Sequence, residues 1–241
     1  MPIAVEKTVG EIAAEHPASV RVFEKLQIDY CCGGGRPLAE ACRERGLSAD
    51  QVVAEVEKAE APAEAPRDWT AVPLAALVDH ILARHHTYLR AELPALAARL
   101  LKVLDAHGQN HGDSLVPLRE TFEGLQNELA SHMMKEEMIL FPLIQRLEAA
   151  DKQGGGLPPA HCGSIRNPIT VMEYEHDSAG AALREMRRLT GGYTPPPDAC
   201  PTYRALLQGL RELETDLHLH IHLENNILFP RAAELESRLA S

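Results

Sequence analysis

His132-Met-Met-Lys-Glu136-Glu-Met-Ile-Leu-Phe141-Pro142 occurs twice in this chain of 241 residues. It returns without a gap as His220-Ile-His-Leu-Glu224-Asn-Asn-Ile-Leu-Phe229-Pro230, so the shared pattern is H-x-x-x-E-x-x-I-L-F-P. A four-residue step puts the His and the Glu side by side on one helix face, where both can reach a single centre. The surrounding sequence repeats apolar residues at steps of three and four, the period of an amphipathic helix.

Outward from the two copies, four long segments carry such a seam. The first, about 73–106, has Leu82, His86, Leu89, Leu93, Leu96 and Leu100. The second, about 114–150, has Leu118, Phe122, Leu125, Leu129, His132, Glu136, Ile139 and Leu143. Gly154-Gly155-Gly156-Leu157-Pro158-Pro159 separates it from the third, 168–189, with Ile169, Met172, His176, Ala179 and Leu183. Thr194-Pro195-Pro196-Pro197 breaks the chain before the fourth, 201–239, with Leu206, Leu210, Leu213, Leu217, His220, Glu224 and Ile227. Four helices with one apolar seam each predict an all-α protein built on an antiparallel four-helix bundle.

The polar interruptions in these seams are histidine, or histidine followed by glutamate. Each copy of the repeat is preceded by a helix bearing another seam histidine, His86 for the first and His176 for the second. Two hairpins, each giving two His and one Glu, would bring six ligands around a pseudo-twofold axis. A carboxylate can bridge two metals through its two oxygens, while an imidazole binds terminally through one nitrogen. The expected site is therefore dinuclear, with His86, His132, His176 and His220 terminal and Glu136 and Glu224 bridging. Mixed nitrogen and oxygen ligation suits first-row transition metals, iron included, without excluding manganese or zinc. Burying two glutamates in apolar seams without a cation would be costly.

Neighbouring residues sharpen the pattern. His85 competes with His86, but the seam through Leu82, Leu89 and Leu93 favours His86. His218 and His222 flank His220 by two residues and read as solvated. His107 and His111 read as surface residues. Glu137 and Glu175 are either groups that support the ligands or exposed flank positions. The Ile-Leu-Phe of each copy reads as core packing. Pro142 and Pro230 lack an N–H donor and are expected to kink or shift each helix just past the ligands.

Upstream, residues 1–58 read as a small helical domain, 59–70 as a linker rich in Ala, Glu and Pro, and 71–241 as the bundle. Thr8 with Glu11, and Ser48 with Gln51, have the spacing of capping boxes. Cys31-Cys32-Gly33-Gly34-Gly35 breaks the small domain; the glycines are expected to leave both sulfurs exposed. The pair reads either as a thiol site for a metal, nitric oxide or a partner thiol, or as an unremarkable loop. Neighbouring cysteines seldom form a relaxed disulfide. Cys42, Cys162 and Cys200 read as incidental, and His161 with Cys162 receives no role.

The formal net charge is −11, which argues against a broad nucleic-acid surface. No apolar run approaches the roughly 20 residues of a membrane span. The N-terminus lacks the basic and apolar regions of a secretory signal. Five cysteines at irregular spacing do not read as a disulfide framework, and a reducing cytoplasm is the simplest expectation.

The repeat and the seam histidines resemble the hemerythrin-like fold. Together with Asp29-Tyr-Cys-Cys-Gly-Gly34, the stretches Ser131–Pro142 and His220–Pro230 resemble the iron–sulfur cluster repair di-iron (RIC) proteins over nearly the whole chain. The resemblance implies two non-haem irons, oxo- and carboxylate-bridged, on the same six residues, and tips Cys31 and Cys32 toward a functional role. It implies a cytoplasmic protein of nitrosative or oxidative stress, a possible homodimer, that restores damaged iron–sulfur proteins by donating iron. Reduction of nitric oxide to nitrous oxide at the irons, or O2 binding or sensing, are the alternatives it leaves open.

Overall fold

The computed structural model describes residues 3–59, 68–159 and 162–240. Most of the expected linker, and His161, lie outside the described residues. Within them the secondary structure is helical, with no strand beyond one isolated antiparallel bridge between Thr8 and Pro37. The chain divides into two compact units, one of residues 1–79, 143–167 and 218–241, the other of residues 80–142 and 168–217.

The second unit is the bundle. After α5 (Leu74–His80) and a π-helical turn (Ile81–His86) comes α6, Thr87–Lys135. The sequence predicts a break near 106–114; the structure narrows it to His111, whose φ of −126° and ψ of 19° are not helical. A straight helix at 1.5 Å per residue would put Arg90 about 70 Å from Glu137. Instead Arg90 Nη2 lies 2.6 Å from Glu137 Oε1, so α6 doubles back on itself at His111. α8 (Arg166–Leu189) and α9 (Pro201–Leu223) supply the other two arms of this unit up to Leu217. Arg187 grips Glu214 with two hydrogen bonds at 3.0 and 2.6 Å, tying these arms together.

Their common core contains Leu89, Leu93, Leu96 and Leu100, Leu118, Phe122, Leu125 and Leu129, Ala179 and Leu183, and Leu206, Leu210, Leu213 and Leu217. These are the seam positions read from the sequence. Each fully buried leucine contributes about 1.5–3 kcal/mol from apolar burial, the main reason the arms stay together.

In the first unit, α1 (Val9–Glu15), α2 (Ser19–Leu26), α3 (Leu38–Glu44) and α4 (Ala49–Ala59) enclose a separate core of Val9, Ile12, Phe23, Ile28, Tyr30, Leu38 and Val56. The predicted Thr8 capping box is present: Thr8 Oγ1 accepts from Glu11 N–H at 3.2 Å, and Glu11 Oε2 accepts from Thr8 N–H at 2.9 Å. α7 (Phe141–Lys152) contributes Glu148, which accepts the otherwise unsatisfied N–H groups of Leu74 and Ala75 at 2.7 and 3.2 Å. α10 (Phe229–Leu239) completes this unit; α1 packs on the π-helical turn Glu224–Leu228 that precedes it.

Candidate metal centre

Proline sets the local geometry. Pro142 and Pro230 cannot continue the α-helical ladder, and immediately before each the backbone widens into a π turn, Glu136–Leu140 and Glu224–Leu228. Phe141 N–H reaches back five residues to the carbonyl of Glu136, and Phe229 N–H does the same to Glu224. The third π turn closes with Thr87 N–H on Leu82 O, directly after His86. Each turn thus begins or ends on a candidate ligand. The extra residue also shifts the register beyond it, which corrects one expectation. Ile139 is 52% exposed rather than core, while Leu140, Phe141, Ile227, Leu228 and Phe229 are buried.

In the bundle unit the structure brings His86, His132, Glu136 and His176 together, all buried. His86 Nε2 lies 3.3 Å from Glu136 Oε2, and His132 Nε2 lies 3.3 Å from Glu136 Oε1. His176 Nε2 is 3.1 Å from His132 Nε2. Behind this cluster each ring is held from its far side. His86 Nδ1 meets Glu137 Oε1 at 2.7 Å, and His132 Nδ1 meets Glu175 Oε2 at 2.8 Å. Arg90 binds both Glu137 oxygens at 2.6 Å, and Lys135 pairs with Glu175. Glu137 and Glu175 are therefore part-buried partners of His86 and His132 rather than exposed flank positions.

Burial pushes the carboxyls of Glu137 and Glu175 up, but their basic partners outweigh it. His86 and Arg90 hold Glu137, and Lys135 and His132 hold Glu175, below the usual glutamate value. Ionised carboxylates at Nδ1 place the ring protons there, leaving the Nε2 lone pairs facing inward.

That arrangement tests whether a cation fits. Both Glu136 oxygens are buried and accept no hydrogen bond among the described residues. Each faces an imidazole Nε2 whose lone pair points at it, because the ring proton sits on Nδ1. Opposed lone pairs around a buried carboxylate are unfavourable unless a positive charge lies between them. Donor separations of 3.1–3.3 Å match neighbouring ligands on one first-row ion, which stand roughly 3 Å apart at bond lengths near 2.1 Å. The residues fit a bound transition metal.

His85, the competitor of His86, is buried too, but its Nδ1 is 3.1 Å from Asp216 Oδ2. In the first unit His220 Nε2 and Glu224 Oε1 of the second repeat are 3.1 Å apart, both buried.

Three expectations about neighbours are corrected here. His222 is buried, not solvated: its ring packs 5.5 Å from that of Tyr30, and its Nδ1 accepts from Asn226 Nδ2 at 3.0 Å. Burial lowers its pKa to about 4, so it stays neutral. His218 is only partly exposed and contacts Glu24 at 2.7 Å. The cysteine loop is folded in rather than open. Asp29 Oδ1 accepts from the N–H groups of Cys31 and Gly33 at 3.2 and 3.0 Å, which buries Cys31 and leaves Cys32 partly exposed. The two sulfurs are 3.8 Å apart, and none of the five cysteines is in a disulfide.

The glycines serve approach rather than exposure. Asn226 Nδ2 donates to Tyr30 O at 3.1 Å, and a Cβ on Gly34 would fall 2.7 Å from Asn226 Oδ1. The thiol loop thus sits on the turn that carries Glu224. Sequence reasoning did not single out Asn226; its partner lies 196 residues away in the chain.

Comparison with known proteins agrees with this chemistry. The hemerythrin HHE cation binding domain family matches residues 77–232, and ScdA_N, a domain of unknown function, matches residues 5–60. The iron-sulfur cluster repair protein YtfE of Escherichia coli O81 (strain ED1a) is 44% identical over 230 residues, covering 94% of this chain and 96% of that relative. The protein of the same name from Escherichia fergusonii is 43% identical over 230 residues with the same coverage. The chain belongs to the hemerythrin HHE cation-binding family, among the relatives named YtfE iron–sulfur cluster repair proteins.

Proposed function

We propose that this protein repairs damaged iron–sulfur clusters, and that it does so by donating iron from a non-haem di-iron centre. The observation that carries the reading is Glu136, a buried carboxylate that accepts no hydrogen bond among the described residues and is framed by imidazoles whose outer nitrogens are held by carboxylates. The names of the relatives supply the cellular task.

In this reading His86, His132, His176 and His220 are terminal ligands and Glu136 and Glu224 bridge, as the internal repeat implies. The irons supply the cargo and, when bound, redox activity. The chain's own residues set how tightly that cargo is held. Glu137 and Glu175 fix the imidazole orientation and basicity, while Arg90 and Lys135 keep those two carboxylates ionised. Cys31 and Cys32, seated by Asn226 against the turn that carries Glu224, offer thiol ligands next to one of the bridging residues. No helix among the described residues is long and apolar enough to cross a membrane. We place the protein in the reducing cytoplasm, where its clients are iron–sulfur proteins and the thiol pair stays reduced.

The test is reactivation of a [4Fe–4S] dehydratase damaged by nitric oxide. Iron-loaded full-length protein is added with a chelator that captures free ferrous iron. Recovery of activity, lost with Glu136→Ala, is the expected result. Recovery no better than that from an equal amount of ferrous salt would reject donation. Catalytic conversion of nitric oxide to nitrous oxide under the same conditions would favour reduction at the centre instead.

A further inference from the structure

We propose that His107, His111 and Asp198 form a second metal site, built for a divalent first-row cation such as zinc. This goes beyond the cluster repair reading and does not depend on it. His107 and His111 stand four residues apart on α6, the spacing that lets two imidazoles share one centre. His111 is the residue at which α6 reverses, and Asp198 comes from the connection between α8 and α9. His111 Nε2 lies 3.0 Å from both carboxylate oxygens of Asp198. One ligand atom from each of the three residues lies within 4.8 Å of the others.

A hydrogen bond between His111 and Asp198 would by itself account for a loop pinned to the helix reversal. It leaves out His107, which hydrogen-bonds Cys200 and brings a third donor to the same point. Nearby, the Tyr203 ring packs 5.3 Å from His107 and 6.0 Å from His111, limiting how far either imidazole can turn. Asp198 follows Pro195-Pro196-Pro197, whose fixed φ angles restrict the loop before any ion arrives. Neighbouring ligands of a tetrahedral zinc with bonds of 2.0–2.1 Å are roughly 3.3 Å apart, close to the separation already present between His111 and Asp198.

Two imidazoles and one carboxylate are borderline donors, suited to zinc, cobalt or nickel more than to magnesium or calcium. Both histidines are half-buried and Asp198 is exposed, so a fourth position is open to water. The site is separate from the Glu136 cluster. His86 and His107 are separated along one arm by 21 residues of helix, about 30 Å.

The experiment is a cobalt(II) titration of the iron-loaded full-length protein, followed by its visible absorption and by equilibrium dialysis. Wild type is expected to take up one further equivalent with the intense absorption of a four-coordinate ion, displaced by zinc. His107→Ala and Asp198→Asn should weaken that uptake at least tenfold while leaving iron content and the circular dichroism spectrum unchanged. Asp198→Asn preserves the side-chain shape, so it decides the matter even where His107→Ala folds poorly. No additional equivalent in wild type, or equal uptake by wild type and Asp198→Asn, would overturn the proposal.

Discussion

The Glu137 carboxylate stands 2.7 Å from His86 Nδ1, and the Glu175 carboxylate holds His132 in the same way from another helix. These contacts fix ring rotation and place the protons on Nδ1, so that the opposite nitrogens turn their lone pairs toward Glu136. Removing such partners typically lowers metal affinity 10- to 100-fold. Glu137→Ala and Glu175→Ala are each expected to lose metal by that factor, measured by competition with a coloured chelator. The bundle should remain folded, since neither carboxylate belongs to the leucine core. Affinity within twofold of wild type in both variants would mean that the ligands need no such support.

Gly10 and Asn226 make a second test, this time of how the thiol loop is seated. A Cβ on Gly10 would meet Asn226 Oδ1 at 2.2 Å and Gly34 O at 3.0 Å. Gly10→Ala is expected to destabilise the protein by about 1–3 kcal/mol in urea unfolding, the usual cost of overpacking. Asn226→Ala removes the nearest clashing atom while forfeiting the hydrogen bond to Tyr30 O. The double variant should therefore be more stable than the sum of the two single changes predicts. Simple additivity would show that Asn226 does not press on α1.

Much of this architecture was legible because helical periodicity is a local property. Leu89, Leu93 and Leu96, or Leu206, Leu210 and Leu213, share a face whatever lies opposite, and all are buried. The histidine–glutamate pairs stood out for the same reason, and seam position alone favoured His86 over its neighbour. What escaped the sequence depends on segments distant in the chain. His222 occupies the flank of the helix that carries His220 and reads as solvated, because nothing nearby in sequence says that Tyr30 will cover it. Asp198 meets His111 across 87 residues, so the two histidines read as surface groups. Ile139 looked like core until the π turn before Pro142 changed its register; the proline was visible, but not the side to which the extra residue would turn it.

The cysteines should differ in reactivity according to their surroundings. The hydrogen bond that Cys31 donates to the Cys32 sulfur, together with burial, pushes the Cys31 thiol well up, and burial raises Cys42. By contrast, the backbone N–H of Tyr203 and the His107 ring draw Cys200, just before α9, downward. Since the thiolate is the nucleophile, Cys200 should be alkylated first at neutral pH, with Cys31 and Cys42 at least about tenfold slower. Time-resolved labelling read by peptide mass spectrometry gives the order. Equal rates for Cys31 and Cys200 would contradict the folded-in loop.

Glu148 gives the pH dependence. Burial raises its carboxyl, but Lys152 and the N–H groups of Ala75 and Leu74 outweigh that and hold it below its ordinary value of 4.5. A depressed folded-state pKa means the unfolded chain takes up the proton first. The carboxylate's contribution is therefore complete above the unfolded value and is lost as pH falls through 4.5 toward the folded one. Capping the first turn of α5 with a charged acceptor is worth about 1 kcal/mol. Glu148→Gln, which keeps one acceptor but no charge, should be less stable than wild type by about that amount at neutral pH. The gap should shrink as the solution is acidified, because wild type loses the charge that the variant never had. Urea unfolding of both proteins across this range checks the sign. A gap that widened in acid would mean that Glu148 is held protonated, and that the start of α5 is satisfied in another way.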